Sequence, residues 1–323
     1  MKRREFIKTT ALSIPLVSIF PPDLSSITRD LVKGKIEKRS LGKTGEKLSI
    51  IGFGGIIVMD ATPEEASTSV KLAIDAGINY FDVAPSYGDA EVKLGPALEP
   101  YRKKVFLACK TMERTRDGAR KELEQSLLNL RTSHFDLYQM HAVTKMEDVE
   151  TLLGKGGALE TFLEAKKEGK IRFIGFSAHS VEAATALIKG FDFDTILFPV
   201  NIAMWHNGNF GPQVLELAKQ KKMGILALKA MAKGPWPEGA DRSKHPKAWY
   251  EPYTDRNDIR MGLRFALSHP ITSAIPPGDV ELFKIALSLK EELLPLDNNE
   301  VEKIKILGLN QNPIFRYPIA SND

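Results

Sequence analysis

The sequence predicts an α/β fold: a closed (β/α)8 TIM barrel preceded by a β-hairpin. Three observations carry that prediction. Short apolar runs rich in β-branched residues alternate with amphipathic helical stretches through residues 35–323, giving eight strand–helix units. Such alternation builds a parallel sheet, and eight units in about 250 residues or more close it into a barrel. No Gly-x-Gly-x-x-Gly turn, the mark of an open dinucleotide-binding sheet, joins a strand to a helix; the nearest, Gly52-x-Gly54-Gly55, lacks the third glycine. With 43% apolar and 27% charged residues, the chain has the composition of a globular protein with a large core.

Residues 1–34 read as an export signal and linker, and residues 35–323 as the barrel domain. Lys2, Arg3, Arg4 and Lys8 against Glu5 carry three of the chain's four net positive charges. A weakly apolar stretch, Thr9–Phe20, follows and ends at Pro21-Pro22. A basic start and a short apolar middle describe an export segment, and the middle is too short to span a bilayer comfortably. Arg3-Arg4-x-Phe6-Ile7-Lys8 resembles the twin-arginine signal. That resemblance implies recognition by the twin-arginine export machinery and a periplasmic or exported protein that crosses the membrane already folded. No cysteine follows the apolar stretch, so a lipid anchor is excluded. The rest of the chain is nearly neutral, which leaves no basic surface to recruit nucleic acid.

The elements follow in order. Ile36–Ser49 fits a hairpin turning at Lys43-Thr44-Gly45, and Leu48–Val58 is the first candidate strand. Pro63–Ala76 is helical, with Thr62 as N-cap and Gly77 as the stop. The remaining strands are Asn79–Val83, Val105–Thr111, Phe135–Val143, Phe173–Ser177, Thr195–Val200, Ile225–Ala230 and Ile271–Ile275. Between and after them lie helices over Glu91–Leu98, Gly118–Arg131, Gly157–Glu168, Val181–Lys189, Pro212–Lys221, Asp258–Ser268 and Val280–Lys290.

Catalytic groups of such barrels sit at the C-terminal ends of the strands. Asp82, Lys110, His141, Ser177, Asn201 and Lys229 fall there. The first three steps between them are about thirty residues, one strand–helix unit each. Tyr87 stands five residues beyond Asp82, in a loop that can lean over the barrel mouth. A phenol titrates near ~10, and a nearby ammonium lowers that value. Lys110 is expected to do this, with Asp82 holding it charged and His141 hydrogen-bonding a substrate oxygen. The set suits carbonyl reduction: a tuned proton donor beside an oxyanion site. Cys109 neighbours Lys110 but points to the opposite face and reads as packing. As the only cysteine, it excludes an intrachain disulfide and an iron–sulfur cluster, and His206 and His245 suggest no metal site.

Gly77-Ile-Asn-Tyr-Phe-Asp82-Val-Ala-Pro-Ser-Tyr87-Gly88 closely resembles the signature of the aldo-keto reductases. Lys110 in Phe106-Leu-Ala-Cys-Lys-Thr111 and His141 in Leu137-Tyr-Gln-Met-His141 match the family's other two catalytic positions. Leu41-Gly-Lys-Thr-Gly45, Ile51-Gly-Phe-Gly-Gly55, Gly175-Phe-Ser177, Gly224–Lys229 and Ser273-Ala-Ile-Pro276 resemble its opening hairpin and further strands. The resemblance implies an oxidoreductase using NADP or NAD, with Tyr87 as proton donor, Lys110 and Asp82 tuning it, and His141 orienting the substrate. It implies cofactor contacts from Gly54, Ser177, Asn201, Leu228, Lys229, Pro276 and Gly278.

Three positions depart from the family pattern. Ala178 stands where an asparagine holds the carboxamide, and Leu197 where a glutamine does; His179 and Asn201 are the nearby polar substitutes. Asp279 follows the last strand where a 2′-phosphate would need a cation, with Lys284 a turn away; this weakens the expectation of NADP. The long segment Met231–Asn257 follows a barrel strand, so it should lie on the catalytic rim. Trp205, Trp236 and Trp249 are expected to form an aromatic wall for a small carbonyl or sugar substrate. The alternative function is a nucleotide-binding, non-catalytic redox sensor or accessory protein, against which the retained Asp82, Tyr87, Lys110 and His141 argue.

Overall fold

The structure is a computed structural model that describes residues 31–318. Eight strands form one parallel sheet in sequence order. They are β3 (Phe53–Gly54), β4 (Tyr80–Asp82), β5 (Phe106–Thr111), β6 (Phe135–Val143), β7 (Ile171–Ala178), β8 (Thr195–Pro199), β9 (Gly224–Leu228) and β12 (Ser273–Ala274). The ends of the sheet meet: Ile51 bridges Ala274 in parallel, and the Gly52 amide donates to the Ala274 carbonyl at 3.0 Å. The barrel is therefore closed, as expected.

Strand alternation divides the core in two. Inward residues Tyr80, Phe106, Ala108, Leu137, Leu197 and Leu226 fill the barrel, while outward residues such as Phe81, Leu107 and Tyr138 pack under the helices. The antiparallel hairpin β1 (Lys38–Ser40) and β2 (Lys47–Ser49) contributes Leu41 and Leu48 to the inner cluster. The hairpin thus plugs the N-terminal end of the barrel. Buried apolar surface contributes about 25 cal/mol per Å², so this plug stabilises the end opposite the site.

Local signals decide several helices. Pro63–Asp75 begins with a full capping box, in which Thr62 accepts from the Glu65 amide at 3.2 Å and Glu65 accepts from the Thr62 amide at 2.8 Å. Such a cap is worth about 1 kcal/mol. The helix stops at Gly77, whose φ of +89° favours glycine.

The expected strand Leu48–Val58 is corrected into three pieces. Lys47–Ser49 pairs in the hairpin, Phe53–Gly54 joins the barrel, and Gly55–Val58 forms a 3-10 turn. A Cβ at Gly55 would lie 2.7 Å from Val83, so glycine lets the chain turn there against β4. The apolar run Ile56-Ile57-Val58 packs against the rim without being a strand. Three helices lie outside the expected set: Met146–Leu153, Ile202–His206 and Asn298–Leu309. The segment after β9 carries a short hairpin of its own, β10 (Ala232–Gly234) with β11 (Glu251–Pro252). None of the described helices is long and apolar enough to cross a membrane.

Candidate active site

The C-terminal rim opens into a cavity of about 150 Å³ lined by Gly54, Asp82, Tyr87, His141, His179, Leu228, Lys229, Trp249, Pro276 and Gly278, among others. Asp82 and Lys110 occupy inward positions on adjacent strands, so their side chains meet inside the barrel. The Lys110 ammonium donates to Asp82 Oδ1 and reaches the Tyr87 hydroxyl at 3.3 Å. It also donates to the Val83 carbonyl at 3.3 Å. The other carboxylate oxygen, Asp82 Oδ2, accepts from the Tyr80 hydroxyl at 3.1 Å and from Gln139 Nε2 at 3.0 Å. Tyr80 and Gln139 were not among the expected site residues, although both share the inward parity of their strands with Asp82 and His141.

His141 meets Tyr87 edge to face, with ring centroids 5.8 Å apart. A bulge aims it. The register of β6 against β7 shifts between Met140 and Val143, and Ala142 takes φ +52°. The Ser177 hydroxyl fixes that bulge by accepting from the Ala142 amide at 2.8 Å. Ser86 Oγ lies 3.4 Å from His141 Nδ1.

The electrostatics correct one expectation. Burial raises the Tyr87 phenol above its ordinary value, and Lys110 offsets only part of that shift. Water exclusion disfavours the phenolate more than the ammonium favours it, so Tyr87 remains a protonated donor. Burial pulls Lys110 down, but Asp82 and Tyr87 outweigh it, and the ammonium ends above the ordinary lysine range. Burial, reinforced by Lys110, pushes His141 down to about 2, so its ring is neutral.

Gly54, Leu228, Lys229, Pro276, Gly278 and Trp249 line the cavity. Ser177 and Asn201 are not among its lining residues. Asn201 caps the helix Ile202–His206, accepting from the Met204 amide at 2.8 Å and donating to the Ala232 carbonyl. Trp205 and Trp236 also lie off the wall, which corrects their placement. Trp205 packs on His269 at 4.0 Å and on Phe265, because the short helix turns it away from the mouth. Trp236 donates its indole N–H to the Ala248 carbonyl at 2.8 Å and so shapes the loop from behind.

That loop crosses the mouth as a strap. Lys247 donates to the carbonyls of Ile57, at 3.0 Å, and Met59. His245 Nδ1 lies 2.7 Å from Asp279 Oδ2, while Asp279 Oδ1 accepts from the Glu281 and Leu282 amides. Phe315, from the C-terminal tail, stacks on His179 at 5.4 Å; it was not expected at the site, lying far from the other site residues along the chain. The described residues contain no cluster of three or more His, Cys, Asp or Glu able to hold a metal.

This arrangement, a buried acid–ammonium–phenol line beside a neutral imidazole at a barrel mouth, is that of a carbonyl-reducing oxidoreductase. The family model for the aldo/keto reductases matches residues 51–305, and the chain belongs to that family. Its activity class is the NAD(P)-dependent interconversion of carbonyl and alcohol. Among similar curated proteins, the L-galactose dehydrogenase of Arabidopsis thaliana is 26% identical over 230 residues, covering 66% of this chain and 70% of that protein. The aldo-keto reductase YhdN of Bacillus subtilis is 31% identical over 218 residues, covering 62% of this chain and 63% of that one. An aldo-keto reductase from Klebsiella pneumoniae, solved in complex with NADPH, superposes with a TM-score of 0.67 at 20% identity, covering 88% of this chain and 100% of that one.

Proposed function

We propose that the chain reduces a small carbonyl compound with Tyr87 as the proton donor. The observation that carries this reading is the contact of the Lys110 ammonium with both Asp82 and the Tyr87 hydroxyl. A nicotinamide dinucleotide, when bound, would supply hydride for the carbonyl carbon. Tyr87 gives its proton to the carbonyl oxygen, and the Lys110 ammonium stabilises the phenolate left behind. Ser86 engages His141 Nδ1, leaving Nε2 to hydrogen-bond that oxygen and orient the substrate. Asp82, held by Tyr80 and Gln139, keeps Lys110 charged and in place.

The cavity would take the nicotinamide end of the dinucleotide. Gly54 and Gly278 line it; a Cβ at Gly278 would lie 2.5 Å from Ile56 and one at Gly54 3.0 Å from Ile275, so glycine lets the rim pack closely on these isoleucines. Gly54, Gly278, Pro276 and Leu228 would hold that end there. Asp279, which places a carboxylate at the start of the helix Val280–Ser288, favours a dinucleotide without a 2′-phosphate. Trp249 supplies an aromatic wall for a sugar-like or aryl carbonyl compound; a sugar is also what the name L-galactose dehydrogenase attaches to the Arabidopsis relative.

Tyr87→Phe tests the assignment. Its kcat should fall about 10²-fold or more, with dinucleotide affinity retained. Full activity in this variant would overturn it. The export signal lies outside the described residues, and export of the folded, cofactor-loaded protein is part of this proposal. A fluorescent protein fused behind residues 1–34 should reach the periplasm of a bacterial host and stay cytoplasmic when Arg3 and Arg4 become Lys. Equal distribution of the two fusions would refute the signal.

A further inference from the structure

Lys229 is a buried amine facing the cavity, and none of the described carboxylates pairs with it. It is 4% exposed. Its ammonium lies 4.4 Å from the Trp249 ring centroid, 5.6 Å from that of Phe315 and 3.4 Å from His179 Nε2. Among the described residues no carboxylate pairs with it, although Lys110 at the same rim has Asp82. A buried ammonium without a counter-charge is strongly disfavoured. Lys229 also holds a φ of +63°, in the left-handed region that favours glycine. Backbone strain of this kind persists where function holds it.

We propose that Lys229, with His179 and Trp249, forms an anion subsite that takes a carboxylate carried by the carbonyl substrate. The inference rests on the reductase reading of Tyr87 and His141 and names the substrates it selects: a sugar acid or an aryl acid that also bears an aldehyde or ketone. Lys229, His141 and Tyr87 line the same cavity, so an anion bound at Lys229 lies near the reacting oxygen. Burial lowers Lys229 to about 7, so an arriving carboxylate recharges it near neutral pH. The titratable groups facing it are His179 and His141, and burial keeps both neutral. Trp249 and Phe315 shield the subsite from water, which strengthens the pairing.

The diphosphate of the dinucleotide offers the same oxyanion chemistry and is the competing source. Two substrates separate them: 4-carboxybenzaldehyde and its methyl ester, assayed with the full chain and with Lys229→Met and Lys229→Arg, alongside fluorescence titration of NADH and NADPH. The wild type should prefer the free acid, and Lys229→Met should reduce the acid-to-ester ratio of kcat/KM by about tenfold or more, mainly through KM. Lys229→Arg should retain most of the preference. An equal fall for acid and ester would overturn the proposal. So would a dinucleotide Kd that rises about tenfold with the ratio unchanged, which would assign Lys229 to the diphosphate. If the wild type reduces neither aldehyde, binding replaces turnover as the readout. Calorimetric binding of terephthalate then tests the subsite alone: weaker binding by Lys229→Met supports it, and equal binding overturns it.

Discussion

Lys110 and Lys229 occupy equivalent places in the barrel, at or next to the C-terminal ends of strands, and both are buried. Their surroundings set opposite states. Lys110 donates to Asp82, whose second oxygen is held by Tyr80 and Gln139, and its ammonium is locked charged. Lys229 has two aromatic rings and a neutral imidazole, and burial draws it to about 7. One side-chain type at one rim thus meets two environments, distinguished by a single carboxylate. In the proposed reaction the paired lysine sustains the proton donor, and the unpaired one awaits an anion.

Lys110→Met should have the largest effect. It strands the Asp82 carboxylate inside the barrel, and loss of one partner of a buried pair costs about 3–5 kcal/mol. Urea unfolding should show that loss, together with the loss of turnover. A midpoint within experimental error of the wild type would show that Asp82 does not need the ammonium.

A smaller effect of opposite sign is expected at the other lysine. The folded-state value of Lys229 lies below its unfolded value, so the unfolded chain binds more protons between about pH 7 and pH 10. Stability should therefore rise with pH through that window, by at most about 1.4 kcal/mol per pH unit. Lys110, shifted upward, contributes stability that is complete below its unfolded value and lost only at still higher pH. Lys229→Met should flatten the rise near neutrality and be at least as stable as the wild type at pH 6. Parallel stability profiles for the two proteins would remove the contrast.

Much of this site was legible in sequence because its members recur once per strand–helix unit. Asp82, Lys110 and His141 are strand-end residues, and spacing alone brings them to one rim. Thr62, Pro63 and Gly77 were legible because capping is local. The misplacements have physical causes. Ser177 and Asn201 sit at the right strand ends, but the hydroxyl fixes the bulge at Ala142 and the amide caps a helix. Trp205 is turned outward by a five-residue helix whose length gives no periodicity. Phe315 reaches the mouth through the tail, a contact with no local signature. The helix Asn298–Leu309 did carry one: Asp297 and Glu300 form a full capping box. Gln139 was readable too, since it shares inward parity with His141 two residues on.

The most direct test of the two-lysine account is an NMR titration of 13Cε-labelled lysines in the wild type, Lys110→Met and Lys229→Met. One lysine signal titrating near pH 7, absent only from Lys229→Met, is the expected result, with the Lys110 signal still unchanged at pH 10. A Lys229 signal titrating in the ordinary lysine range near pH 10 would contradict it: the ammonium would then be solvated or paired, and the barrel mouth would hold two lysines of one kind.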